Sequence, residues 1–149
     1  DLVVAGKTDP HYPEIRDLSL AIKNKHRVIF TGFVTDEELA ALYTRAYAFV
    51  TASLHEGFGL PALEAMSHGI PVLAANTNTF NEIYDNAAIY FDGENPSDIA
   101  DKMYLLAKDP KFYEQCQVRS ITRVAGFSWE AAATGTYQVY REAFMNMVK

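Results

Sequence analysis

The sequence predicts an open, doubly wound parallel α/β sheet, and three observations lead to it. Short apolar runs alternate with helical patterns from end to end, which is the mark of parallel βαβ units. The helical stretches carry their own start signals. No internal repeat, low-complexity tract or linker divides the 149 residues, a length that suits one compact domain with a core and is short for two.

Leu2–Ala5 is the first apolar run and reads as a buried strand entering a turn at Gly6. Pro13 suits the first turn of a helix whose Ile15, Leu18 and Ile22 share one apolar face. Val28–Thr31 is the second strand, and Thr35 with Glu38 forms a capping box ahead of Leu39 and Leu42. Tyr47–Thr51 follows as a strand that leads through Gly57 and Gly59 into a helix, with Pro61 at or near its first position and Gly69 just past its end. Pro71–Ala75 and Ala88–Phe91 are the remaining strands, with connecting loop between them. Asn95 and Pro96 open a helix bearing Ile99, Met103 and Leu106 at helical spacing, a further helix starts after Asp109 and Pro110, and Ser128 caps the last, Trp129 to Met147. That last helix is amphipathic, with Ala132, Tyr140, Phe144 and Met147 available to pack.

Composition excludes several classes. At 49% hydrophobic and 21% charged, the chain is globular rather than disordered. No stretch reaches the roughly 18 to 20 continuous apolar residues of a membrane span, and no signal peptide is visible at the start, so a soluble, cytoplasmic protein is expected. A single cysteine, Cys116, forms no intrachain disulfide and reads as an inert helix residue. The net charge of −6 argues against nucleic acid as a partner and against an anionic membrane surface, so any phosphate site must be local. His11, His26 and His68 show no metal-ligand spacing with each other or with Cys116, and no metal site is predicted. The nine Tyr and nine Phe are scattered at core-like spacings, as packing rather than a stacking platform.

The informative stretch runs from Ser53 through His55-Glu56-Gly57-Phe58-Gly59-Leu60-Pro61 to Glu64-Ala65-Met66. In an open parallel sheet a strand, loop and helix start of this kind lies at the carboxyl edge, where ligands bind. Glycines let the backbone approach a ligand, and the unpaired N–H groups of the first helical turn attract an anion such as a diphosphate. Glu56 and Glu64 bracket the loop, each able to accept charge-assisted hydrogen bonds from hydroxyls. A ligand with hydroxyls at both ends and phosphates between them fits, which describes a nucleotide sugar. On the pattern alone Gly57 and Gly59 read equally as turn glycines, Glu56 as a solvated loop residue, Glu64 as a surface helix residue and His55 as a bystander.

Glu56 and Glu64, eight positions apart around Gly-Phe-Gly-Leu-Pro, resemble the E-x7-E motif of the retaining GT-B glycosyltransferases often called glycosyltransferase family 4. The likeness extends over Val28 to Val34, Asp36 to Leu39, Leu63 to Met66, Gly69 to Val72 and Phe127 to Glu130. The resemblance implies a Rossmann-like domain, the carboxyl-terminal, donor-binding half of a GT-B enzyme, of which residues 1–149 are a partial copy. It implies that Glu56 holds hydroxyls of the transferred sugar and takes part in catalysis, and that Glu64 holds the ribose. The amides of Phe58, Gly59 and Leu60, reached through Gly57, would meet sugar and diphosphate, and the backbone at Phe33 and Val34 the base; that apolar pair reads equally as core. Glu82 matches a family glutamate and is read as loop support.

The same resemblance implies segments that precede Asp1. The family's first strand of this domain, its Arg and Lys, and a whole acceptor domain are expected there; Lys7 is not their equivalent. Without that strand, Leu2–Ala5 and Tyr47–Thr51 lack a shared neighbour, and the isolated chain is expected to be inactive and to self-associate. No cofactor is expected beyond the donor substrate. GDP-mannose is favoured, because Tyr47 to Val50 and Ala88 to Asp92 look most like bacterial polysaccharide mannosyltransferases, with UDP-glucose and UDP-N-acetylglucosamine open. The acceptor would be a glycan or lipid-linked glycan, and the full-length enzyme could lie peripherally on the inner membrane face. A GT-B sugar-nucleotide epimerase and a non-catalytic nucleotide-binding module are the alternatives.

Overall fold

In the computed structural model, residues 1–7 and 27–147 are described. The helix expected from Pro13 to Ile22, together with His11 and His26, lies outside them. The chain divides into two compact units, Asp1–Arg45 and Ala46–Lys149.

The first unit holds strands β1 (Leu2–Ala5) and β2 (Val28–Gly32) and helix α1 (Asp36–Arg45). The strands pair in parallel, Leu2 opposite Val28 and Val4 opposite Phe30. β1 is exposed at every position, whereas a continuous apolar run predicts burial on both faces. Its main contacts among the described residues are with β2, so one ladder edge is satisfied and neither face is sealed. The capping box forms as expected: Thr35 N–H donates to Glu38 Oε2 at 2.8 Å and Glu38 N–H to Thr35 Oγ1 at 3.3 Å. Hydrogen bonds from a backbone amide and from Thr35 hold the Glu37 carboxyl below its usual range at this helix start.

The second unit is a three-stranded parallel sheet in the order β3-β4-β5 (Phe49–Thr51, Val72–Ala75, Ala88–Phe91). β4 is the middle strand and is buried at all four residues, as a strand covered on both faces must be. β3 and β4 are shorter than the runs Tyr47–Thr51 and Pro71–Ala75 suggest. Tyr47 instead stacks on Tyr113, centroids 4.4 Å apart, while Tyr113 Oη donates to the Tyr47 carbonyl at 3.1 Å.

Helices α2 (Leu60–Ser67), α3 (Asn78–Tyr84), α4 (Pro96–Lys108), α5 (Pro110–Val124) and α6 (Trp129–Met147) complete the unit, with a 3-10 turn at Asp85–Ala87. α3 occupies a stretch read as loop. Its N-cap Thr77 accepts from Phe80 N–H at 3.3 Å. Asn95 and Asp109 cap α4 and α5 through their side-chain oxygens. The core gathers Leu63 and Met66 of α2, Phe80 and Tyr84 of α3, Phe91 of β5, Leu106 of α4 and Cys116 of α5. Of the helical spacing assigned to α4, Leu106 reaches this core and Met103 is exposed. Burial pushes the Cys116 thiol up, so it is a packing residue rather than a nucleophile. The buried Ser120 Oγ of α5 donates to the Ile70 carbonyl at 2.9 Å and ties that helix to the turn before β4. Ser128 caps α6 through Ala131 N–H at 3.1 Å, yet α6 buries none of its residues.

Candidate functional site

The loop from Ser53 to Gly59 leaves the carboxyl end of β3 and enters α2. Gly59 is the N-cap of α2, with φ 88° and ψ 43° in the left-handed region, where a side chain is penalised. Space forbids one as well: a Cβ there would collide with the Tyr84 hydroxyl and stand 2.9 Å from Phe80 Cε1. Pro61 has no N–H and Ala62 N–H donates to the Gly59 carbonyl at 3.2 Å. The amides of Phe58 and Gly59 lead into that first turn and that of Leu60 opens it, where helix N–H groups have no partner within the helix. These are the amides assigned to the diphosphate, and they carry the positive end of the helix dipole.

α2 stops at a Schellman turn: Gly69, at φ 71°, donates to the Met66 carbonyl at 2.9 Å, and Ile70 N–H to that of Ala65 at 3.2 Å. Leu63, Ala65 and Met66 are buried while Glu64 is exposed. Burying one face thus turns Glu64 away from the core, one turn in from the loop. Glu56 is exposed on the loop itself. The structure therefore brings together Glu56, Gly57, Phe58, Gly59, Leu60 and Glu64 on one loop and helix start.

The loop is fastened at two points. Tyr84, buried on α3, donates through Oη to the Gly59 carbonyl at 2.8 Å and stacks on Phe80 with centroids 5.0 Å apart. Burial raises the Tyr84 phenol far above its ordinary value and the negative charge of Glu56 raises it further, so the hydroxyl stays a donor. Phe58 meets Phe127 edge to face at 6.0 Å, and the Arg123 guanidinium lies over Phe127 at 5.2 Å. The same Arg123 donates to the carbonyls of Ile83 at 2.8 Å and Glu82 at 2.9 Å.

Phe33 and Val34 belong to the first unit. Phe33 is 71% exposed rather than core, with the Lys7 ammonium 5.7 Å from its ring centroid, and Val34 is half-buried. His55 is exposed on the loop, and the His68 ring sits at the α2 end, 3.0 Å from the Glu64 carbonyl. The contribution of Glu82 seen here is its backbone carbonyl. Among the described residues no cluster of three His, Cys, Asp or Glu gathers, and no described helix is long and apolar enough to cross a membrane. An open hollow of about 800 Å³, lined by Leu54, Asn76, Thr77, Tyr90, Asp92 and Asp98 among others, lies at the carboxyl ends of β4 and β5 and includes none of residues 56–60. Sequence reasoning missed this hollow, Tyr84 and Arg123; the contacts of the two side chains cross 25 and 40 positions, and nothing local announces them.

Residues 1–123 match the family model "Glycosyl transferases group 1". The serotype-specific mannosyltransferase WbdA of Escherichia coli is 38% identical over 135 residues, which is 89% of this chain and 16% of that protein. O-antigen chain mannosyltransferase B of Escherichia coli is 36% identical over 112 residues, 75% of this chain and 29% of that protein. The chain thus spans under a third of the length of these relatives. Among solved structures, the carboxyl-terminal domain of a group 1 glycosyl transferase (LpcC) of Francisella tularensis superposes with a TM-score of 0.72 at 30% identity, covering 83% of this chain and 67% of that one. Sucrose-phosphate synthase of Thermosynechococcus elongatus superposes at 0.82 with 28% identity, covering 97% of this chain and 39% of that one. With the expected α/β architecture, the loop at the sheet edge and a family match over most of its length, the chain belongs to the group 1 glycosyltransferases.

Proposed function

We propose that these 149 residues are part of the donor-binding domain of a retaining glycosyltransferase that moves a hexose from a nucleotide-diphosphate sugar to a glycan or lipid-linked acceptor. GDP-mannose is the favoured donor. The observation that carries the reading is the joint placement of Glu56, the amides of Phe58, Gly59 and Leu60, and Glu64 around one helix start. The names of WbdA and O-antigen mannosyltransferase B favour mannose.

In this reading Glu64 accepts from the ribose hydroxyls, and the positive end of α2 faces the diphosphate. The bond between the anomeric carbon and the phosphate oxygen breaks, and the departing diphosphate takes up the electron pair. The preorganised amides stabilise that developing charge without reorganising. Glu56 holds sugar hydroxyls, and the acceptor oxygen bonds to the anomeric carbon as its proton passes to an oxygen of the departing diphosphate. Phe33 and Val34 would meet the base through their backbone. The acceptor pocket belongs to segments beyond these residues, so the 149-residue chain alone is inactive and prone to self-association, and the full-length enzyme works in the cytoplasm, at or near the inner membrane face.

The test is a donor screen on the full-length protein with GDP-mannose, UDP-glucose and UDP-N-acetylglucosamine, followed by NMR of the product. Transfer from GDP-mannose with the donor's anomeric configuration kept is the expected result. An inverted product would overturn retention, a free sugar epimer would point to an epimerase, and nucleotide binding with no turnover of any sugar donor to a binding module.

A further inference from the structure

We propose that Tyr84 and Arg123 are positioning residues for the Glu56–Leu60 loop, forming a brace behind it that sets the reach of its amides towards a diphosphate. The inference rests on the donor-site reading above and adds two residues, distant in sequence, that touch no ligand.

The loop's own means of holding a shape are few. Gly57 and Gly59 leave the backbone free to turn, and Phe58 is itself 40% exposed. Its order must come from outside, and the structure supplies two anchors. One is the Tyr84 hydroxyl on the Gly59 carbonyl at 2.8 Å. That carbonyl also accepts from Ala62 N–H, so the bond acts at the N-cap of α2. The fit is tight, since the space a Cβ would take at Gly59 is filled by Tyr84 and Phe80.

The second anchor is the Phe127 ring, which meets Phe58 edge to face beneath the Arg123 guanidinium. Arg123 joins the two. Its Nε and Nη2 hold the carbonyls of Ile83 and Glu82, the residues before Tyr84 at the end of α3. One planar guanidinium thus fixes the helix that carries Tyr84 and covers the ring that backs Phe58. A lysine has neither the fork nor the flat face for this.

The consequence is specific. Losing the brace frees the loop amides but leaves α2 seated by Leu63, Ala65 and Met66 and leaves Glu64 in place. Binding of a β-phosphate suffers, and binding through the ribose does not. Global destabilisation would weaken both alike.

The experiment measures calorimetric affinities of GDP, UDP, GMP and UMP for full-length wild type, Tyr84→Phe, Arg123→Lys and Glu64→Ala, each at a temperature where it is folded. Tyr84→Phe keeps the ring and its stack and removes one hydrogen bond. Expected is about a tenfold loss of diphosphate affinity in Tyr84→Phe and Arg123→Lys, the scale of one lost hydrogen bond, with monophosphate affinity near wild type. Glu64→Ala should lose both. If both brace variants keep wild-type affinities, or lose diphosphate and monophosphate in equal proportion, the positioning role is overturned while the site stands. If wild type binds no nucleoside diphosphate, or Glu64→Ala changes nothing, the site reading fails and the brace loses its purpose with it.

Discussion

Glu64 and Glu56 are both exposed carboxylates, one on the first turns of α2 and the other on the loop before it, and the proposed reading gives them different roles. The backbone of Glu64 is fixed by the buried face of α2, and its side chain lies on the exposed face. Glu64→Ala in the full-length protein should therefore weaken nucleoside-diphosphate binding by about 1 to 3 kcal/mol, the value of hydrogen bonds to a charged group; unchanged affinity in calorimetry would remove it from the site. Glu56, which the proposed reading puts on the sugar side, should behave otherwise. Its replacement by Ala is expected to cut the transfer rate far more than it cuts nucleotide binding, because the interaction it supplies counts at the reacting sugar. Equal losses in both measurements would contradict that role. These two residues and the glycines between them were legible in the sequence because their chemistry is local: spacing, Pro61 and the strand before them define the turn. Tyr84 and Arg123 were not, since an ordinary tyrosine and an ordinary arginine acquire meaning only when α3 and α5 fold against the loop.

α3 shows the same divide among elements. Asn-Thr-Asn-Thr-Phe-Asn reads as loop because polar, β-branched and amide residues are poor helix formers, and its four successive Asn and Thr residues leave the cap, which is Thr77, undetermined. The helix exists because other elements hold it: Arg123 donates to its Glu82 and Ile83 carbonyls, and Tyr90 Oη on β5 lies 3.0 Å from the Phe80 carbonyl and 2.7 Å from that of Asp85. By contrast the starts of α1, α4 and α5 were readable, each fixed by a cap within three residues. The tether at Tyr90 has a pH signature. Burial, and then the nearby charge of Asp85, push its phenol from the ordinary 10.0 up to about 12, with Arg123 opposing. A raised value means that the folded state keeps a proton the unfolded state loses. The contribution of Tyr90 is therefore fully present below pH 10 and is lost as pH rises towards 12. Urea midpoints should fall across that window, and Tyr90→Phe should make the fall shallower; an identical slope in the variant would show that the phenol is not linked to folding.

Across the whole molecule, the alternation of strand and helix predicts the α/β architecture, and among the described residues two ladders, β1-β2 and β3-β4-β5, lie in separate compact units. Burial also divides unevenly. β4 is sealed on both faces, whereas α6 runs for 19 residues and buries none. Trp129, Tyr137, Tyr140, Phe144 and Met147 are all exposed by more than 60% on that helix. A pattern with one apolar face predicts a partner for that face, but it cannot say whether the partner lies in the same chain. Among the described residues none covers these side chains, and an apolar surface of this kind favours association in water. Light scattering on the purified 149-residue chain should accordingly show dimers or larger species at micromolar concentration. Replacing Trp129, Tyr140 and Phe144 together by glutamine should return it to a monomer, since these positions support no core and their loss leaves the sheet intact. A wild-type chain that stays monomeric at that concentration would mean that the exposed face of α6 does not drive association.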